Sequence, residues 1–104
     1  MASVLDCLHF GKRNAVTREY LHQTTDLEDR DIRKTIEHLK KQGHPIFNSA
    51  DGSGYYLATP EDEADMQRSV RIKKAHALSC VRNAEREQQL MDRVLNPNGL
   101  QLSL

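Results

Sequence analysis

The chain has 104 residues, enough for one small domain with a modest core. Lys and Arg number 15, and so do Asp and Glu, which excludes a strongly basic nucleic-acid binder on composition alone. With no Trp and only five Tyr and Phe together, the core must be aliphatic, and no apolar run approaches the length of a membrane span.

Charge is unevenly placed. Between Asp65 and Glu85 the charged residues are all basic: Arg68, Arg71, Lys73, Lys74 and Arg82. Residues 1–12 lack the basic start and the long apolar stretch of a secretory signal, so a cytoplasmic location is expected. Cys7 and Cys80 form no C-x-x-C pair and are expected to be reduced structural thiols.

Ser3 with Asp6 three residues on predicts a first helix, with Val4, Leu5 and Leu8 on its apolar face and Gly11 as its stop. Lys12 to Ala15 reads as a polar connection. Thr17 predicts the cap of a short second helix from Arg18 to about Thr24, with Glu19 in its first turn and Leu21 facing the core. Thr25-Asp26-Leu27 reads as a turn, because Asp tolerates the left-handed conformation.

Ile32, Thr35, Ile36 and Leu39 are spaced for a third helix over Asp29 to Gln42. Its opposite face carries Arg30, Lys34, Glu37 and Lys41, with Arg33 at the edge. Local pairing of the basic residues with Glu37 is the simple structural reading of that face. Gly43 and Pro45 end the helix.

Ile46–Ser49 and Tyr55–Ala58 bracket Ala50-Asp51-Gly52-Ser53-Gly54, a β-hairpin signature. Thr59, Pro60 and Asp62 then predict the start of a long helix running to about Leu95, before Asn96-Pro97. Met66, Val70, Ala77, Val81, Ala84, Met91 and Leu95 form one stripe on it, interrupted by Lys74 and Gln88. The first half of the stripe is expected to pack on the core. The second half is expected to pair with another copy through Ala77, Val81, Ala84, Met91 and Leu95, giving a homodimer.

No two of the five histidines stand three or four apart, and no Cys/His cluster exists, so no metal site is expected. Asp51–Gly54 lacks the Lys-Ser/Thr of a phosphate loop and reads as a turn. Nothing local supports a catalytic arrangement. The expectation is a non-enzymatic chain without cofactor, small-molecule substrate or membrane association.

The segment TREYLHQTTDLEDRDIRKTIEHLKKQG followed by PIFNSADGSGYYLA resembles the winged helix-turn-helix family. With its added terminal helix the chain is similar to small prophage-type winged-helix proteins. The resemblance implies a mainly α (α+β) winged helix: a three-helix core, a two-stranded β wing and a long C-terminal helix. The resemblance covers residues 3–58, and with the stripe and the end at Asn96-Pro97 the expected division is a winged helix-turn-helix domain over residues 1–59, a packing and dimerising helix over 60–96 and a flexible tail over 97–104.

The resemblance also implies double-stranded DNA binding by a small transcriptional regulator or a phage or mobile-element accessory protein. The third helix would read the major groove through Glu28, Asp29, Arg30, Arg33, Lys34 and Glu37. Thr17 and Arg18 would meet a phosphate, and Ser53 in the wing tip would lie on the backbone or minor groove. Dimerisation through the last helix would space two half-sites. A protein-docking module without DNA binding is the alternative, and zero net charge suits it equally.

Overall fold

The computed structural model describes residues 2–96. Ser3 Oγ accepts a hydrogen bond from the Asp6 N–H at 3.2 Å and starts α1 (Val4–Cys7), which buries Val4 and Cys7. The helix ends well short of Gly11, because the chain leaves it to pair with a strand. His9 O accepts from the Leu57 N–H at 2.9 Å, and the Gly11 N–H donates to Leu57 O at 2.9 Å. The connection that follows is a 3-10 turn over Lys12–Asn14. Val16 then exchanges two backbone hydrogen bonds with Tyr55, at 2.9 and 2.7 Å. These backbone groups would otherwise be left without partners, at a cost comparable to a lost hydrogen bond each.

Thr17 Oγ1 accepts from the Tyr20 N–H at 3.1 Å and caps α2 (Arg18–Thr25). Asp26 closes α2 in the left-handed conformation, with φ 61° and ψ 19°. Two side chains brace the turn that follows. Thr25 Oγ1 donates to Leu21 O and accepts from the Leu27 N–H, and His22 Nδ1 bonds Leu27 O at 2.6 Å. No glycine is required, because side-chain bonds hold the turn.

Next comes α3 (Asp29–Lys41), which buries Ile32 and Ile36. Its C-terminus is a Schellman motif: the His44 N–H donates to Leu39 O and the Gly43 N–H to Lys40 O, with Gly43 at φ 100°. The strands β1 (Ile46–Asn48) and β2 (Tyr55–Leu57) pair antiparallel, with Ile46 opposite Leu57 and Phe47 opposite Tyr56. Each strand is one residue shorter than expected. The Ser49 N–H closes the loop onto Gly54 O, and the Ala58 N–H turns to Pro45 O.

Thr59 precedes a 3-10 turn over Pro60–Asp62, so the α-helix α4 (Glu63–Leu95) begins three residues later than Pro60. Asp62 Oδ2 accepts from both the N–H and the Oγ1 hydroxyl of Thr59, and Asp62 Oδ1 accepts from the Lys12 N–H. Those bonds hold the carboxylate in place and tighten the first turn.

The chain up to Arg71 forms one compact unit, and the chain from Ile72 onward forms a second. The first unit therefore includes the opening turns of α4 and passes the expected boundary at residue 59. Val4, Cys7, Leu8, Leu21, Ile32, Ile36, Ile46 and Leu57 make its largely aliphatic core cluster, and the fully buried Tyr56 is the aromatic departure from the expected aliphatic core. Each large side chain fully buried there stabilises the fold by about 1.5–3 kcal/mol.

Of the first-half stripe residues, Met66 is half-buried, and the expected packing of Val70 is corrected by the structure. Val70 is exposed, and the buried positions of α4 are Asp65 and Ser69. Tyr56 and the carbonyl of Asn48 demand polar partners at that surface, and Asp65 and Ser69 supply them. Cys80 is also corrected: it is exposed, whereas Cys7 is buried, and both are free thiols. The described chain is thus mainly helical, with a small antiparallel sheet and a long C-terminal helix. None of its described helices is long and apolar enough to cross a membrane. The expected tail over 97–104 lies outside the described residues.

Candidate nucleic-acid interface

The turn at Asp26 brings the first turns of α2 and α3 together. Asp29 Oδ2 accepts from Arg33 Nη2 at 2.6 Å and Nε at 2.9 Å, and from Arg18 Nη1 at 3.4 Å. Arg33 reaches back one helical turn, and Arg18 reaches across from α2. Three of the expected site residues therefore form one exposed cluster, although eleven positions separate Arg18 from Asp29. Exposed ion pairs of this kind contribute about 0–1 kcal/mol each, so the cluster organises the surface more than it stabilises the fold.

Glu37 is not the partner of Arg33 or Lys34. It pairs with Lys40 at 3.4 Å, while Arg33 turns to Asp29. The difference is one of direction: Asp29 lies N-terminal to Arg33 at the i, i+4 spacing that suits an acid-to-base pair. Arg33, Lys34 and Glu37 line a shallow groove with His38 and Lys41. Arg30 and Lys34 are exposed on the same helix. Glu28, at the cap position of α3, makes no side-chain capping bond.

The hairpin approaches the start of α2. A groove of about 380 Å³ is lined by Thr17, Arg18 and Glu19 on one side and Asn48, Gly52 and Gly54 on the other. Gly54 makes this approach possible. Its φ is +118°, and a Cβ there would lie 2.1 Å from the Val16 carbonyl oxygen. Thr17 Oγ1 already caps α2, so its hydroxyl serves the helix first.

Asp51 organises the hairpin tip. Its Oδ1 accepts from Ser49 Oγ, the Ser53 N–H and Ser53 Oγ. Its Oδ2 pairs with Lys12 Nζ at 3.0 Å. The Ser49 and Ser53 hydroxyls, together with Lys12, hold the Asp51 carboxyl well below the usual carboxylate range. Ser53 is accordingly engaged inside the loop. The hydrogen bond to Asp51 pushes the Lys12 ammonium above the usual lysine range.

Sequence reasoning missed the link behind this tip. Asp65 accepts from Tyr56 Oη at 2.5 Å and from the Ala50 N–H at 3.2 Å, and its carboxylate lies 3.7 Å from Lys12 Nζ. The available signal was weak: Asp65 and Ser69 are polar residues four apart on the helix face next to Met66. The residues assigned to dimerisation, Ala77, Val81, Ala84, Met91 and Leu95, are all exposed along α4. Among the described residues no group of three or more His, Cys, Asp or Glu side chains is arranged to hold a metal ion.

No family model, curated protein or solved structure matches the chain.

Proposed function

We propose that the chain is a winged helix-turn-helix protein that binds double-stranded DNA without catalysing a reaction. In this reading α3 enters the major groove and the β1–β2 hairpin is the wing. Arg30, Arg33 and Lys34 donate to guanine edges or phosphates, and Asp29 or Glu37 accepts from cytosine. Thr17 and Arg18 meet the backbone at the start of α2, and Ser53 meets it at the wing tip. The protein works in the cytoplasm as a homodimer through α4, as a small regulator or a mobile-element accessory factor.

The observation that carries the reading is the convergence of Arg18 and Arg33 on Asp29. It joins two guanidinium groups from the two helices of the motif on one exposed surface. Phosphate or a base edge would compete with Asp29 for both. The same pairing also favours a second reading, a protein-docking module, because Asp29 neutralises part of the basic surface and Asp31 adds a further acid.

Fluorescence anisotropy with duplex DNA at about 50 mM and about 200 mM salt separates the two readings. Each phosphate neutralised contributes a slope of about −0.9 in log K against log salt. A DNA-binding chain loses about tenfold or more in affinity between those points. Arg33→Ala with Lys34→Ala weakens that binding and leaves the fold intact. No binding at the lower salt favours the docking module.

A further inference from the structure

On α4, from Lys74 onward, Lys74, Ala77, Val81, Ala84, Gln88 and Met91 follow alternating spacings of three and four. Val81 is 53% exposed and Met91 47% exposed, so this seam faces water in the single chain. The seam mixes large and small residues and contains one cation. That mixture distinguishes the two ways in which a second copy can lie on it.

We infer that α4 pairs antiparallel with α4 of a second copy, with Val81 facing the second copy's Ala84, Ala77 facing its Gln88 and Lys74 facing its Met91. This rests on reading α4 as the self-association helix and adds its orientation and register. All three layers share one midpoint, between residues 82 and 83, so a single register satisfies them together. Each alanine then meets a larger side chain, and the layers fill evenly.

A parallel pair does the opposite. Ala77 would face Ala77 and Ala84 would face Ala84, leaving two underfilled layers. Lys74 would face Lys74, placing like charges in a partly desolvated seam. At the edges of the seam, Glu87 of one copy would lie beside Asp92 of the other, a repulsive pair. The antiparallel arrangement separates these charges. It brings Lys74 within about one helical turn of the second copy's Glu87, a distance that a lysine side chain spans.

Disulfide trapping on the full chain tests the inference. The exposed native thiol is removed with Cys80→Ser. Ala77→Cys and Gln88→Cys are then introduced singly and together. In the antiparallel register the two copies of residue 77 lie about 16 Å apart along the axis, as do the two copies of residue 88. Neither single variant then crosslinks, and the double variant forms a covalent dimer on oxidation. Lys74→Cys with Met91→Cys behaves the same way and covers the chance that the first pair disturbs the helix. Circular dichroism confirms that helicity is retained.

Efficient crosslinking of the single variants would overturn the orientation while leaving self-association through α4 standing. A dimeric mass by light scattering with no crosslink in either double variant would overturn the register. A monomeric mass for the wild-type chain at high concentration would overturn both the inference and the self-association reading beneath it.

Discussion

The hydroxyl of Tyr56 donates to Oδ2 of Asp65 at 2.5 Å, and both side chains are buried. This bond ties the second strand of the hairpin to the opening turns of α4. Burial, and then the neighbouring carboxylate, push the Tyr56 phenol well above its usual range, so it remains a donor. The same carboxylate receives the Ala50 N–H, so one acid links the strand, the loop and the helix.

Removing either partner strands the other in a place that water does not reach. Tyr56→Phe is expected to destabilise the chain by about 1–3 kcal/mol, and Asp65→Ala by at least as much. The two changes together should cost less than their sum, because each removes the other's unmet partner. Urea denaturation of the single variants and the double variant measures this coupling.

Gly54 and Gly43 both have positive φ, but only Gly54 faces an obstacle. Gly43→Ala meets nothing within 4 Å and should cost about 1–2 kcal/mol for the conformation alone. Gly54→Ala adds a clash with the Val16 backbone, so it should cost clearly more and open the groove beside Thr17. Thermal melts of the two variants compare them directly. Equal losses would show that the Val16 carbonyl yields freely.

The hairpin tip should give the fold an acid limit. Asp51 and Asp62 both lie below their ordinary value of 3.8 in the folded chain. A lowered folded-state pKa stabilises above the unfolded value, and that contribution is lost as pH falls towards the folded value. Lys12 works in the opposite direction: its contribution is present below 10.5 and lost as pH rises through its raised folded value. Melting temperature should therefore hold across neutral pH and fall below about pH 3.8. Asp51→Asn should flatten part of the acid fall and lower the plateau, because it removes the charge that Lys12 pairs with.

Asp29 competes with DNA for Arg18 and Arg33 in the proposed function. Asp29→Asn should raise affinity for duplex DNA by up to about fivefold, the scale of an exposed ion pair. It should also lower sequence preference, if Asp29 accepts from a base. Anisotropy on two unrelated duplexes checks both. A loss of affinity would instead assign Asp29 to positioning the arginines.

What the sequence determined by itself was local. The caps at Ser3 and Thr17, the left-handed Asp26 and the Gly43 terminus each depend on atoms within a few residues, so spacing exposes them. Tertiary structure alone decided the rest. It sent residues 9–11 and Val16 to the edge of β2 instead of extending α1, because unpaired strand groups needed partners there. It turned Asp65 and Ser69 inward where an apolar stripe was expected, because Tyr56 and Asn48 present polar atoms to that face. It also gave Asp29 to Arg18 across eleven positions. Such pairings follow from which backbone and side-chain groups must be satisfied once separate elements meet, and no helix or strand period relates the two partners.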